Sequence, residues 1–157
     1  MNLFSSLERR GGYCGHWWDI NMDRLANGRF ETTFENGKLE QERYFILGKE
    51  QGRRRSWWPD GKLRSEAFLK NGLGHGPSKS WHFNGRLAKS CRLIDGTFVG
   101  KYRTWSENGV LTWEQAWKGE KLHGPEYFWS EDGDLVWFNY YFEDIQLVQY
   151  FAGDQIG

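Results

Sequence analysis

From residue 62 to residue 69 the chain alternates polar and apolar positions. Leu63, Ser65, Ala67 and Leu69 fall on one side of an extended segment; Lys62, Arg64 and Glu66 fall on the other. The pattern returns at a fixed step. The matching inward sets are Leu87, Lys89, Cys91 and Leu93, then Leu111, Trp113, Gln115 and Trp117, then Leu135, Trp137, Asn139 and Tyr141. Arg86, Ala88, Thr112 and Glu114 take the opposite side. Period two predicts strands with one apolar face and one largely wet face, as in antiparallel sheets.

The punctuation between strands has the same step of 24 residues. Asn36-Gly37, Asp60-Gly61, Asn84-Gly85, Asn108-Gly109 and Asp132-Gly133 are in phase. So are Trp57, Trp81, Trp105 and Trp129, and so are Leu39, Leu63, Leu87, Leu111 and Leu135. A short run, an Asn-Gly or Asp-Gly pair and a second run predict a β-hairpin, with positive φ at the turn pair. Gly28, Gly52, Gly76, Gly100 and Gly124 form a further column. Gly48, Gly72 and Gly96 precede three of them by four residues, which predicts compact links with positive φ at both ends; Gly119 slips by one. The fold class is therefore all-β: an elongated antiparallel sheet of about five to six tandem 24-residue hairpins. The array covers residues 27–141. Residues 1–26 form an N-terminal cap or degenerate repeat, with one or two helical turns over residues 3–10. Residues 142–157 form a C-terminal cap strand, read over residues 145–151, and a tail.

Composition refines this picture. Of 157 residues, 38% are hydrophobic but 18% are aromatic, including ten tryptophans, so large flat rings supply the apolar area of a thin sheet. The aromatic content argues against disorder. Net charge is zero, which argues against general nucleic-acid binding. Residues 1–80 hold 14 Lys and Arg against 10 Asp and Glu; residues 81–157 hold 7 against 11. Stacked in order, such repeats would be positive at one end and negative at the other. Two cysteines make no disulfide framework, and Cys91, in the column of Ala67, reads as a small buried thiol. No apolar run reaches bilayer length and no signal-peptide layout opens the chain, so a cytoplasmic location is expected.

The motif Gly-x-x-x-x-Trp-x-x-Asn/Asp-Gly-x-Leu resembles the MORN-type repeat, in the variant form of bacterial antitoxin-like proteins. It occurs as Gly52…Trp57…Asp60-Gly61-x-Leu63, Gly76…Trp81…Asn84-Gly85-x-Leu87, Gly100…Trp105…Asn108-Gly109-x-Leu111 and Gly124…Trp129…Asp132-Gly133-x-Leu135. A fifth copy, Gly28…Asn36-Gly37-x-Leu39, has Thr33 in place of the tryptophan. The resemblance covers residues 28–141. It implies a curved sheet of hairpins that binds a protein partner, self-associates or, in some members, meets a lipid surface. The antitoxin label implies neutralisation of a protein toxin. It implies no catalytic residues and carries over no residue-level site.

Candidate sites follow from side chains off the repeating columns. Arg54, Trp58, Arg64, Tyr102, Phe128 and Tyr140 are the candidate partner-binding residues, because exposed aromatics and arginines are common hot spots. Arg53, Arg54 and Arg55 alternate between faces, with Glu31, Glu35, Glu40 and Glu42 as available ion-pair partners. His75 and His123 share a column two repeats apart, about four strand spacings of roughly 4.8 Å. They cannot share an ion, whose ligands lie within about 2–2.3 Å, and they read as turn-packing residues. Glu114 and Glu126 are the two acids placed to approach as a carboxylate pair, although nothing in the sequence raises either pKa. No spacing sets a nucleophile beside a base, so no enzyme, metal or cofactor is expected. The expected function is a non-catalytic protein-binding module, antitoxin-like or adaptor-like. Self-association and peripheral lipid binding are the alternatives.

Overall fold

The computed structural model describes residues 7–10, 16–19 and 24–153. Sixteen strands follow in chain order: β1 (Leu7–Arg10), β2 (His16–Asp19), β3 (Arg24–Leu25), β4 (Gly28–Thr33), β5 (Leu39–Ile46), β6 (Lys49–Glu50), β7 (Gly52–Trp57), β8 (Leu63–Lys70), β9 (Leu73–Trp81), β10 (Leu87–Ile94), β11 (Thr97–Phe98), β12 (Gly100–Trp105), β13 (Leu111–Lys118), β14 (Lys121–Trp129), β15 (Leu135–Phe142) and β16 (Ile145–Phe151). The chain divides into two units, residues 1–76 and 77–157. In the first, β1, β2 and β3 form a small sheet, and β8, β7, β5 and β4 lie side by side in a second. In the second unit the order is β16, β15, β14, β13, β12 and β10. Neighbouring strands pair antiparallel, and among the described residues neither ladder closes into a barrel. The all-β hairpin architecture read from the sequence is thus present in both units. The helical turns expected over residues 3–10 are not: residues 7–10 are β1, held in register on β2, and residues 3–6 lie outside the described part.

The 24-residue step reappears as one turn built five times. Phe34, Trp58, His82, Ser106 and Ser130 each donate N–H to the carbonyl four residues on, and each accepts from the glycine three residues on. Only that glycine has positive φ, between 80° and 94°. The asparagine or aspartate before it does not, which corrects the expectation of positive φ at both positions. The loop has three residues rather than two. A register shift accompanies it in the hairpins β4–β5, β7–β8, β12–β13 and β14–β15, as a left-handed glycine bulge requires. Asn36, Asp60 and Asn84 serve a different purpose: their Oδ1 atoms accept the N–H two residues on at 3.0 Å. The two-residue turns with positive φ at both positions lie in the links between hairpins. They are Leu47-Gly48, Asn71-Gly72, Asp95-Gly96 and Glu143-Asp144.

Burial departs from the simple two-face reading. In the first unit Ala26, Phe30 and Phe45 form a small apolar core, covered by Leu7 of β1 and Trp17 of β2. Phe45 meets Phe30 and Trp17 edge to face at 5.4 and 5.9 Å. In the second unit no described hydrophobic side chain is buried; the buried side chains there are those of Glu114, Glu126 and Asn139. Glu114 therefore corrects the expectation of a wet face, while Trp113, expected inward, is 36% exposed. The cause is geometric. A single-layer sheet has no second layer, so what it buries are mid-strand groups short enough to be roofed by the longer side chains of neighbouring strands. Cys91 is half-buried rather than buried.

Candidate interaction surface

In the first unit charge is organised around Glu42, which is only 1% exposed. Glu31, Glu42 and Arg55 stand opposite one another on β4, β5 and β7. The Glu42 carboxylate accepts from Arg55 at 2.6 and 2.7 Å, Arg29 at 2.7 Å and Tyr44 Oη at 3.0 Å. Burial by itself raises this pKa. The hydrogen bonds of Arg55 and Tyr44, and the charges of Arg55 and Arg29, outweigh it and hold the carboxyl below its usual value. The three consecutive arginines split between faces as alternation requires. Arg53 lies 3.8 Å from Glu66, Arg54 3.9 Å from Glu50, and Arg55 reaches Glu42. Of the acids expected to pair with them, Glu42 does so; Glu50 and Glu66 are the others. Glu50 is already held by two hydrogen bonds from Arg43, whose guanidinium lies 4.5 Å from the Trp17 ring centre.

Trp58 and Arg64 meet beside the second turn, with the guanidinium 4.7 Å over the indole. Trp58 is half-buried there, and Arg64 is exposed. The turns are also tied to one another. Asn36 Nδ2 donates to the Pro59 carbonyl at 2.9 Å, and Lys38 Nζ to the Asp60 carbonyl at 2.6 Å. Asn84 and Arg86 repeat these bonds to Glu107 and Asn108 at 2.8 and 2.6 Å.

The second unit carries the larger aromatic surface. Trp113, Phe128, Trp137 and Phe151 stand opposite one another on β13, β14, β15 and β16. Phe128 stacks on Trp137 at 5.5 Å and 17°. Trp113 and Phe151, at the two ends of this row, are 36% and 46% exposed. A parallel row on the same face runs Tyr102, Gln115, Glu126 and Asn139. Glu126 is 5% exposed and accepts from Trp113 Nε1 at 3.2 Å, Asn139 Nδ2 at 3.2 Å and Gln115 Nε2. Tyr141 shares the network. Its burial first, then the Glu126 charge and hydrogen bond, push its hydroxyl pKa up.

The other face of this unit holds Arg103, Glu114, Tyr127, Phe138 and Tyr150 in one cross-strand row. Lys101 and Arg103 each donate to Glu114 at 2.6 Å. Burial of Glu114 acts to raise its pKa, but those hydrogen bonds and charges prevail and lower it. Glu114 and Glu126 sit on opposite faces, opposite Tyr127 and Gln115 respectively, so the expected carboxylate pair does not form.

The six candidates are divided between the two units. Arg54, Trp58 and Arg64 belong to the first unit. Tyr102 and Phe128 share one face of the second, and Tyr140, 43% exposed, lies on the other. Trp113, Trp137 and Phe151, which share the face of Phe128, were absent from the sequence candidates. For Trp113 and Trp137 the signal was present in the alternation, but it placed them inward; Phe151 was read only as part of the last strand. Two of the histidines make structural contacts: His82 Nε2 donates to the Trp105 carbonyl at 2.8 Å, and His123 packs on Phe142 at 5.0 Å. Among the described residues no group of three His, Cys, Asp or Glu side chains is arranged to hold a metal. An open groove of about 590 Å³ in the first unit is walled by Tyr44, Phe45, Ile46 and Arg53 and has no histidine or carboxylate in its lining. The buried carboxylates of Glu42, Glu50, Glu114 and Glu126 are each engaged in hydrogen bonds with side chains of the sheet.

Residues 26–46 and 50–71 match the family described as MORN repeat variant. The first stretch contains the hairpin β4–β5, in which Thr33 replaces the tryptophan, and the second contains β7–β8. The repeat likeness drawn from the spacing is therefore carried by the family over these two hairpins. No curated protein matches the chain.

Proposed function

We propose that the protein is a non-catalytic protein-binding module, antitoxin-like or adaptor-like, that grips a partner protein through the aromatic face of its second unit. The supporting observation is the cross-strand row Trp113, Phe128, Trp137 and Phe151, whose ends are open to solvent. Rings on a sheet lose little freedom on binding, and large aromatics dominate interface energetics. The network on Glu126 fixes the neighbouring row, so the surface is shaped before a partner arrives.

The test is capture of partners from host lysate with the full chain and with Trp113→Ala. One stoichiometric protein is expected with the wild type. Its affinity should fall by roughly tenfold or more in the variant, because a hot-spot ring contributes about 2 kcal/mol. Far-UV circular dichroism should be unchanged. Capture of no stoichiometric protein, or of one that Trp113→Ala binds equally well, rejects this surface. Rescue of growth when the chain is co-expressed with the captured partner distinguishes an antitoxin from an adaptor.

A further inference from the structure

The groove of the first unit has a polarity that selects its ligand. Its volume of about 590 Å³ falls inside the usual span of small-molecule sites, about 300–1,000 Å³. Alternation from the cross-strand pair Glu42 and Arg55 puts Tyr44, Ile46 and Arg53 on the side of Glu42. That is the side away from the rings of Phe30 and Phe45, which Leu7 and Trp17 cover. Ile46 is 60% exposed and stands as an open apolar wall. Gly28 and Gly52 complete the lining with bare backbone, and a Cβ on either would meet nothing within 4 Å. A flat ring can therefore lie directly on the peptide planes there.

The neutral polar groups around the groove are mostly committed. Tyr44 Oη donates to Glu42 at 3.0 Å. Gln51 Nε2 donates to Asn71 at 2.7 Å, and Asn27 Oδ1 accepts the Leu47 N–H at 2.9 Å. Arg53 is different. It is the charged residue of the lining, and its side chain is 45% exposed. Its contact with Glu66, at 3.8 Å, is too long for a hydrogen bond. Arg29, Arg43 and Arg55, by contrast, each grip a glutamate at 3.0 Å or closer. The planar fork of Arg53 thus stands beside an apolar trough with donors to offer. No carboxylate in the lining balances it, so the groove calls for one negative charge. A cation would be repelled, and a dianion such as a phosphate monoester would leave one charge unmatched against apolar walls.

We propose that this groove binds a small, flat, apolar molecule carrying a single carboxylate, an arylcarboxylate by class. The ring lies against Tyr44, Ile46 and the bare backbone, and the carboxylate takes a two-pronged bond from Arg53. The inference goes beyond the partner-binding reading and does not depend on it, because the site belongs wholly to the first unit.

Titration of the full chain with 2-naphthoate, followed by backbone amide NMR shifts, tests the site. The shifts should centre on residues 27–28, 44–46 and 51–53 and saturate at one equivalent. The neutral isostere 2-naphthamide should bind roughly tenfold more weakly, since it forfeits the charge-assisted bond. Arg53→Gln should weaken naphthoate by a similar factor and leave naphthamide unchanged, a split that loss of packing would not produce. Ile46→Glu alters an exposed side chain and should abolish naphthoate binding by setting a like charge in the groove. Trp113→Ala, in the second unit, should bind naphthoate as the wild type does. Absence of saturable shifts up to millimolar naphthoate overturns the proposal. So does equal binding of acid and amide by the wild type, or naphthoate binding that survives Arg53→Gln and Ile46→Glu.

Discussion

A single column of glycines shows how one residue type answers two different demands. Gly100 has φ of 73° and open space where a side chain would stand. Gly124, one repeat later, has φ of 111°, and a Cβ there would meet the Ala116 Cβ at 3.0 Å. Alanine at residue 100 meets only the backbone penalty, about 1 kcal/mol. At residue 124 it adds a clash with another strand, for about 2–3 kcal/mol in total. Urea unfolding of the two variants should show that ordering; equal losses would mean that β13 and β14 yield more easily than their close approach implies. The sequence displayed this column but not the reason for each member. Spacing reports that a position is special, and only the neighbouring strand reports why. The same holds for Asn36 and Asn84. Their place in the turn was readable, whereas their amide bonds to the Pro59 and Glu107 carbonyls depend on turns 23 residues away.

At the scale of strands and hairpins, the carboxylate on β13 gives a pH signature. The folded pKa of Glu114 lies below its ordinary value, so its contribution is full above the unfolded pKa, about 4.3. It is lost as pH falls through the lower folded value. Glu114→Gln should be less stable at neutral pH by about 1–2 kcal/mol, since Lys101 and Arg103 are exposed enough to return to water. Below about pH 4 its deficit should narrow, because wild type then surrenders what the variant never had. Parallel acid-unfolding curves would remove Glu114 from this role. Strands and hairpins were the best-read level of the chain. Alternation located β8, β10, β13 and β15, because a two-residue period is a local property. It misjudged Glu114 and Trp113, because burial depends on what roofs a position, and in a one-layer sheet the roof is made of neighbouring long side chains.

On the scale of the whole molecule, apolar burial is uneven. Phe45 is almost wholly enclosed in the first unit, and the second has no counterpart among the described residues. Phe45→Ala should cost about 3–4 kcal/mol, with amide protection lost over β4 to β8. Phe128→Ala removes a partly exposed ring stacked on Trp137 and should cost about 1–2 kcal/mol. Hydrogen exchange and urea titration together read both, and comparable costs would show that stacking on an open sheet encloses as much as a covered core does. This asymmetry was not legible beforehand. The covering of Phe30 and Phe45 by Leu7 and Trp17 comes from β1 and β2, which carry no clean repeat signature.

The links from Asn36 and Lys38 to the following turn, repeated by Asn84 and Arg86, also bear on how such a chain can lengthen. Each of these units carries a hook in its side chains, and the receiving eye is a peptide carbonyl, which any sequence supplies. A segment copied in whole steps of 24 residues would arrive with its fastening already in place. A copy of any other length would leave the hook reaching for the wrong bond. At these two turns a step of 24 residues is what keeps the hook on its carbonyl.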